Sequence, residues 1–114
     1  MGMAMNTLFS YLYRDSCNYK KFYDVVFSGN LTIDQIEPYF KDGQFFIPSE
    51  VGLLDLQPYP FTFNDHIWHE VISLTPTHDL PTINLTGKKI TQKFMSAHAR
   101  DWNEYNIYER KGLV

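Results

Sequence analysis

Cys17 is the only cysteine in 114 residues. It cannot form an internal disulfide, and the expected setting is the reducing cytoplasm. No apolar run approaches the ~18 residues of a membrane-spanning helix, and no basic segment followed by an apolar one opens the chain, so no membrane partner is expected. The six glycines are dispersed, and Gly87-Lys88-Lys89 is too short to cradle a phosphate. Lysine and arginine are missing between Lys41 and Lys88; beyond Asp42 this stretch holds Glu50, Asp55, Asp65, Glu70 and Asp79, a charge of about −5. There is no internal repeat, no cofactor motif and no recognised catalytic constellation. These absences favour a non-enzymatic chain with no cofactor.

Aromatic residues are abundant: eight Tyr, nine Phe and two Trp make up 17% of the chain. Rings in such number build a core, anchor a partner, or do both. Net charge is −3, too mild to point to nucleic acid. The region from Lys88 onward carries about +3 against the acidic middle, which predicts either an internal charge match or two surfaces of opposite sign. Length predicts a single domain over residues 6–108, with 1–5 and 109–114 as flexible or added ends.

Residues 7–13 and 19–27 read as two strands of a hairpin, with Asp15, Ser16 and Asn18 supplying turn chemistry. In the first strand Phe9, Tyr11 and Tyr13 share one face, and Leu8, Ser10 and Leu12 the other. Thr32 and Gln35 have the spacing of a capping box, Leu31 and Ile36 that of a hydrophobic staple, so a short helix is expected over 33–41, bent or shortened by Pro38. Residues 44–47 are a strand candidate. Residues 48–64 lack a period but hold enough apolar side chains to pack. Residues 65–74 read as a strand and 82–85 as a brief one. A helical period over 86–105 puts Ile90, Phe94, Ala97, Asp101 or Trp102, and Tyr105 on one face, with Lys89, Lys93, Ser96, Arg100 and Asn103 opposite. The order β-β-α-β-loop-β-α predicts an α+β fold, a mostly antiparallel sheet with two helices packed on one face.

Two polar stretches stand out. In the hairpin turn, Arg14 and Lys20 could hold a phosphate or carboxylate, Asn18 could bond a base or backbone, and Tyr13 or Tyr19 could stack on a ring; Asp15 completes the set. The commoner role of such residues is local pairing that closes the turn. In Asp65-His66-Ile67-Trp68-His69-Glu70, strand geometry would put His66, Trp68 and Glu70 on one face, where His66 and Glu70 could act as an acid–base pair or part of a metal site. The order lacks the zinc-peptidase pattern, and no metal is expected. The basic face of the last helix is an ordinary solvated face without interleaved aromatics, so nucleic acid is an unfavoured partner.

Together, Tyr13-Arg14-Asp15-Ser16-Cys17-Asn18-Tyr19-Lys20 and Asp65-His66-Ile67-Trp68-His69-Glu70 resemble a group of small uncharacterised bacterial proteins with a Tyr-Arg-Asp-x-x-Asn-Tyr-Lys opening and a later His-x-Trp-His-Glu stretch. The two motifs cover 14 of 114 residues. The resemblance implies a bacterial or phage origin and brings no activity with it. It implies that the two segments serve one shared site or one shared fold requirement.

The leading expectation is a small cytoplasmic binding or protein-interaction domain, a regulator or inhibitor, with a protein partner or self-association. The alternative is a small-molecule or nucleotide site, suited to a small anionic ligand, between the turn at 14–20 and the strand at 66–70. Its residues would be Arg14, Asp15, Asn18, Tyr19, Lys20, His66, Trp68 and Glu70.

Overall fold

The computed structural model describes residues 5–57 and 65–110. Alternation in the first segment builds β1 (Asn6–Arg14). Phe9, Tyr11 and Tyr13 turn inward and are buried, as side chains two apart on a strand must share a face. β2 (Lys20–Phe27) runs back antiparallel beside it, with Tyr11 opposite Tyr23 and Arg14 opposite Lys20. β3 is a two-residue strand, Phe45–Phe46. β4 (His69–Thr77) pairs antiparallel with the other side of β1, and β3 pairs with its first two residues, giving the order β2-β1-β4-β3. Ser10 faces Ser73 while Tyr11 faces Val71, so Ile72 is the extra residue of a bulge.

The expected strand at 65–74 is thus shifted. His66, Ile67 and Trp68 precede it, and it continues to Thr77. Residues 82–85 are not a strand. They lie along the end of β2, where Thr82 N–H donates to the Val26 carbonyl at 2.8 Å and Ser28 N–H to that of Leu85 at 3.3 Å.

Rings fill the inner side of the sheet. Phe9 stands 5.7 to 6.0 Å from Tyr11, Phe27 and Phe46, mostly edge-on. Such geometry suits the aromatic quadrupole. Thr7 is buried among them without penalty, since its hydroxyl donates to the Gly29 carbonyl at 2.7 Å and accepts from Leu31 N–H at 2.9 Å.

Residues 33–41 do not form the expected helix. They make two 3-10 turns, Ile33–Gln35 and Glu37–Tyr39. The capping-box contact from Gln35 is present, its side-chain oxygen accepting from Thr32 N–H at 2.9 Å. Pro38 has no N–H to offer residue 34 and its ring would clash with that carbonyl, so α-helix cannot propagate through it. Part of the loop expected over 48–64 is another 3-10 turn, Pro48–Val51. Val51, Leu53 and Leu56 are buried; residues 58–64 lie outside the described residues.

α1 (Gly87–Ala99) starts at Thr86, whose hydroxyl accepts from Lys89 N–H at 3.1 Å, and buries Ile90, Phe94 and Ala97. The expected continuation to residue 105 fails at Asp101, Trp102 and Asn103, which have φ of 52°, 60° and 54°. Left-handed backbone in non-glycine residues costs about 1–3 kcal/mol per residue. Burial of Trp102, edge-on to Phe94 at 5.6 Å and Trp68 at 6.4 Å, offsets that strain. The break resets the helical phase. α2 (Glu104–Arg110) buries Ile107 in place of Tyr105, which is exposed. Glu109 and Arg110 thereby belong to a helix rather than a loose end; 1–4 and 111–114 lie outside the described residues. The α+β class is as expected, but both helices come from the C-terminal segment. Among the described residues no helix is long and apolar enough to cross a membrane.

Candidate functional site

The hairpin turn is held by its own side chains. Asp15 Oδ1 accepts from the N–H groups of Cys17 and Tyr19, both at 2.9 Å, while Asn18 takes the left-handed position with φ of 67°. Asp and Asn suit these places because short polar side chains satisfy nearby backbone and tolerate positive φ. Arg14, just before the turn, donates to Asn18 Oδ1 at 2.6 Å and from Nε to Glu70 Oε2 at 3.1 Å. β1 and β4 place Leu12 opposite Glu70, so the carboxylate meets the guanidinium across the outer face of the sheet.

The second polar stretch joins the same network through backbone. His66 Nε2–H donates to the Arg14 carbonyl at 2.6 Å, and its Nδ1 accepts from Trp68 N–H at 3.0 Å. Those contacts assign the neutral imidazole with the proton on Nε2. Tyr13 donates to Asp65 Oδ1 at 2.6 Å and accepts from His66 N–H at 3.2 Å. Its ring centre is 5.1 Å from that of His66 and 5.3 Å from that of His69. Burial, reinforced by the bond to Asp65, pushes the Tyr13 hydroxyl well above the usual tyrosine range. Fully buried His69 accepts from Leu56 N–H at Nε2, 2.9 Å away, and Nδ1–H points at the Ile67 carbonyl at 3.2 Å.

Arg14, Asn18, His66 and Glu70 are therefore brought together, with Asp15 beneath them in the turn. Trp68 is not. It faces Trp102, has the Lys41 ammonium 6.0 Å from its ring centre, and shares a hydrogen bond with Tyr108. Lys20 and Tyr19 are exposed. Polar groups in the Arg14 network satisfy one another: both His66 nitrogens serve backbone, and the Arg14 charge is met by Glu70. Among the described residues, no group of three or more His, Cys, Asp and Glu could hold a metal ion. A hollow of about 210 Å³ beside the turn is lined by Tyr13, Asp15, Tyr19, Lys20 and Lys21. Of the basic residues expected on the last helix, Arg100 falls just past the end of α1, where it is bonded to Ser96 and 3.9 Å from Glu50.

The sequence pointed to self-association but singled out no strand for it; the outer edge of β2 is open. Val26 N–H donates to Thr82 Oγ1 at 3.0 Å and its carbonyl accepts from Thr82, so Val26 turns its backbone groups away from β1. Strand alternation then points those of Lys20, Phe22 and Asp24 the same way. Nothing among the described residues pairs with them. Tyr19, Phe22 and Tyr23 are 77%, 63% and 41% exposed along this edge. The readable signal was the run Lys20-Lys21-Phe22-Tyr23-Asp24, which puts charge on both faces of a strand, as edge strands do.

No protein-family model matches the chain, and no match is found among curated proteins or solved structures.

Proposed function

We propose that the chain is a small protein-interaction domain that takes its partner at the open edge of β2. The observation that carries this reading is the row of outward backbone groups at Lys20, Phe22 and Asp24, flanked by exposed Tyr19, Phe22 and Tyr23. Unpaired edge groups are a template for strand addition, and exposed aromatics beside them give side-chain contact. In this reading the Arg14–Glu70–Asn18 network fixes the turn that presents the edge. Exposed Cys17 fits a reducing cytoplasm. A photo-crosslinking residue at position 22 tests it in cells that express the protein, with position 105 as an exposed control. A discrete adduct at 22 and none at 105 is expected; no adduct at 22 refutes the proposal.

A second reading keeps the small anionic ligand. It rests on the hollow beside the turn, where Lys20 and Lys21 supply positive charge and Tyr13 and Tyr19 supply rings. Arg14 would not be the anion's partner there, because Glu70 and Asn18 already hold it. The hollow is smaller than the ~300 Å³ at which ligand clefts begin.

A further inference from the structure

The β2 edge is self-complementary, and we infer that its partner is a second copy of this chain, paired antiparallel about a two-fold axis at Phe22. This rests on the reading of β2 as the interaction edge.

The open stretch has definite ends. Beyond it in one direction, Val26 and Ser28 are sealed by Thr82, Leu85 and Gly87. In the other direction lies the turn. That leaves Lys20 to Asp24, all five exposed, with outward N–H and C=O on Lys20, Phe22 and Asp24. A two-fold axis at Phe22 sets Phe22 against Phe22 of the second copy. It also sets Lys20 against Asp24 of the second copy, and Asp24 against its Lys20. All three facing pairs are of the hydrogen-bonded kind, so every outward group on both edges finds a partner. Side chains agree with this register. On the outer face, two opposite-charge pairs flank an aromatic pair; on the inner face, Lys21 lies beside Tyr23 of the second copy, a cation and a ring. Among the described residues neither Lys20 nor Asp24 has an ion pair within the chain.

Neighbouring registers are worse. Moving the axis to Lys21 sets two lysines directly opposite each other. Moving it to Tyr23 drives Lys20 onto Val26, whose edge groups Thr82 already holds. The chosen register alone uses the whole open edge and matches charge. It joins two four-stranded sheets into one continuous sheet through β2. An isologous contact of this kind closes on itself, so it stops at a dimer.

Sedimentation equilibrium of the purified full chain tests the inference, comparing wild type, K20E, D24K and the double variant K20E/D24K. All positions are exposed, and circular dichroism checks that each variant is folded. A wild-type dimer is expected. Each single reversal sets like charges opposite one another twice and should weaken dimerisation at least about tenfold; the double reversal restores both pairs and should recover affinity to within about threefold. Mixing the two single variants should give a heterodimer tighter than either homodimer. Wild type that stays monomeric at about 1 mM overturns the inference, as does a dimer indifferent to all these changes. If the protein is monomeric but the position-22 adduct contains a different protein, self-association fails while the interaction reading stands. If no adduct forms at 22, that reading fails as well.

Discussion

Raising the pH should unfold this protein through two buried tyrosines. Tyr11 is fully buried with its hydroxyl donating to the Leu54 carbonyl at 2.6 Å, and Tyr13 is almost as buried, bonded to Asp65. Burial comes first among the causes that push both hydroxyls far above the ordinary value of 10.0. In the unfolded chain both release their protons near pH 10, while the folded chain keeps them. The folded state then binds two more protons than the unfolded one, so the stability tied to these groups is whole below pH 10 and falls as pH rises above it. Each group contributes a slope of about 1.4 kcal/mol per pH unit, about 2.7 for the pair. One unit above pH 10 the loss is about 3 kcal/mol, a large share of the roughly 5–15 kcal/mol typical of a domain. Tyr108, raised mainly by burial, and Lys41, raised mainly by its bond to Asp101, act with the same sign. Urea denaturation between pH 9 and 11.5 measures the slope, and tyrosinate absorbance reports ionisation directly. Tyr13→Phe supplies the control: whatever its stability at pH 8, it should lose about half of the pair's slope. A free energy of unfolding that is flat from pH 9.5 to 11 refutes the reasoning, as does a Tyr13→Phe slope equal to wild type.

Two substitutions probe the polar network by chemical denaturation near neutral pH. His69→Ala should cost about 3–5 kcal/mol, because it opens a cavity and strips the acceptor from the Leu56 N–H; a loss under 1 kcal/mol would show that neither matters. Arg14→Ala should cost no more than about 1 kcal/mol, since the Arg14 and Glu70 side chains are 39% and 29% exposed and solvent screens their pair; a loss above 3 kcal/mol would mean that the pair organises far more of the fold than its exposure suggests.

Much of the local structure was legible because it depends on near neighbours. Period-two alternation in residues 7–13 put Phe9, Tyr11 and Tyr13 on one face of β1, though only the packed sheet shows that this face is the inner one, and Thr32 with Gln35 announced the capping contact. Pro38 signalled an interruption, though not that 3-10 turns would replace the helix. The candidate residues were legible in type but not in partnership. Arg14 and Glu70 are separated by 56 residues, and only the docking of β4 on β1 puts them in contact. Trp68 looked like a companion of His66, yet the segment enters β4 only at His69, and Trp68 turns away to Trp102.

By itself, then, the sequence determined the hairpin, which of the β1 side chains share a face, the start of α1 at Thr86 and the α+β class. Each follows from interactions over two to four residues, or from their period. Tertiary structure alone decided the strand order, the bulge at Ile72, the left-handed break at Asp101 to Asn103 and the exposure of the β2 edge. The break shows the reason most plainly. No local preference puts Trp102 at a φ of 60°; a pocket formed by Phe94 and Trp68 makes that conformation the better bargain. The edge is open for a like reason: sealing Val26 and Ser28 but not Lys20 to Asp24 depends on where residues 82–87 come to lie.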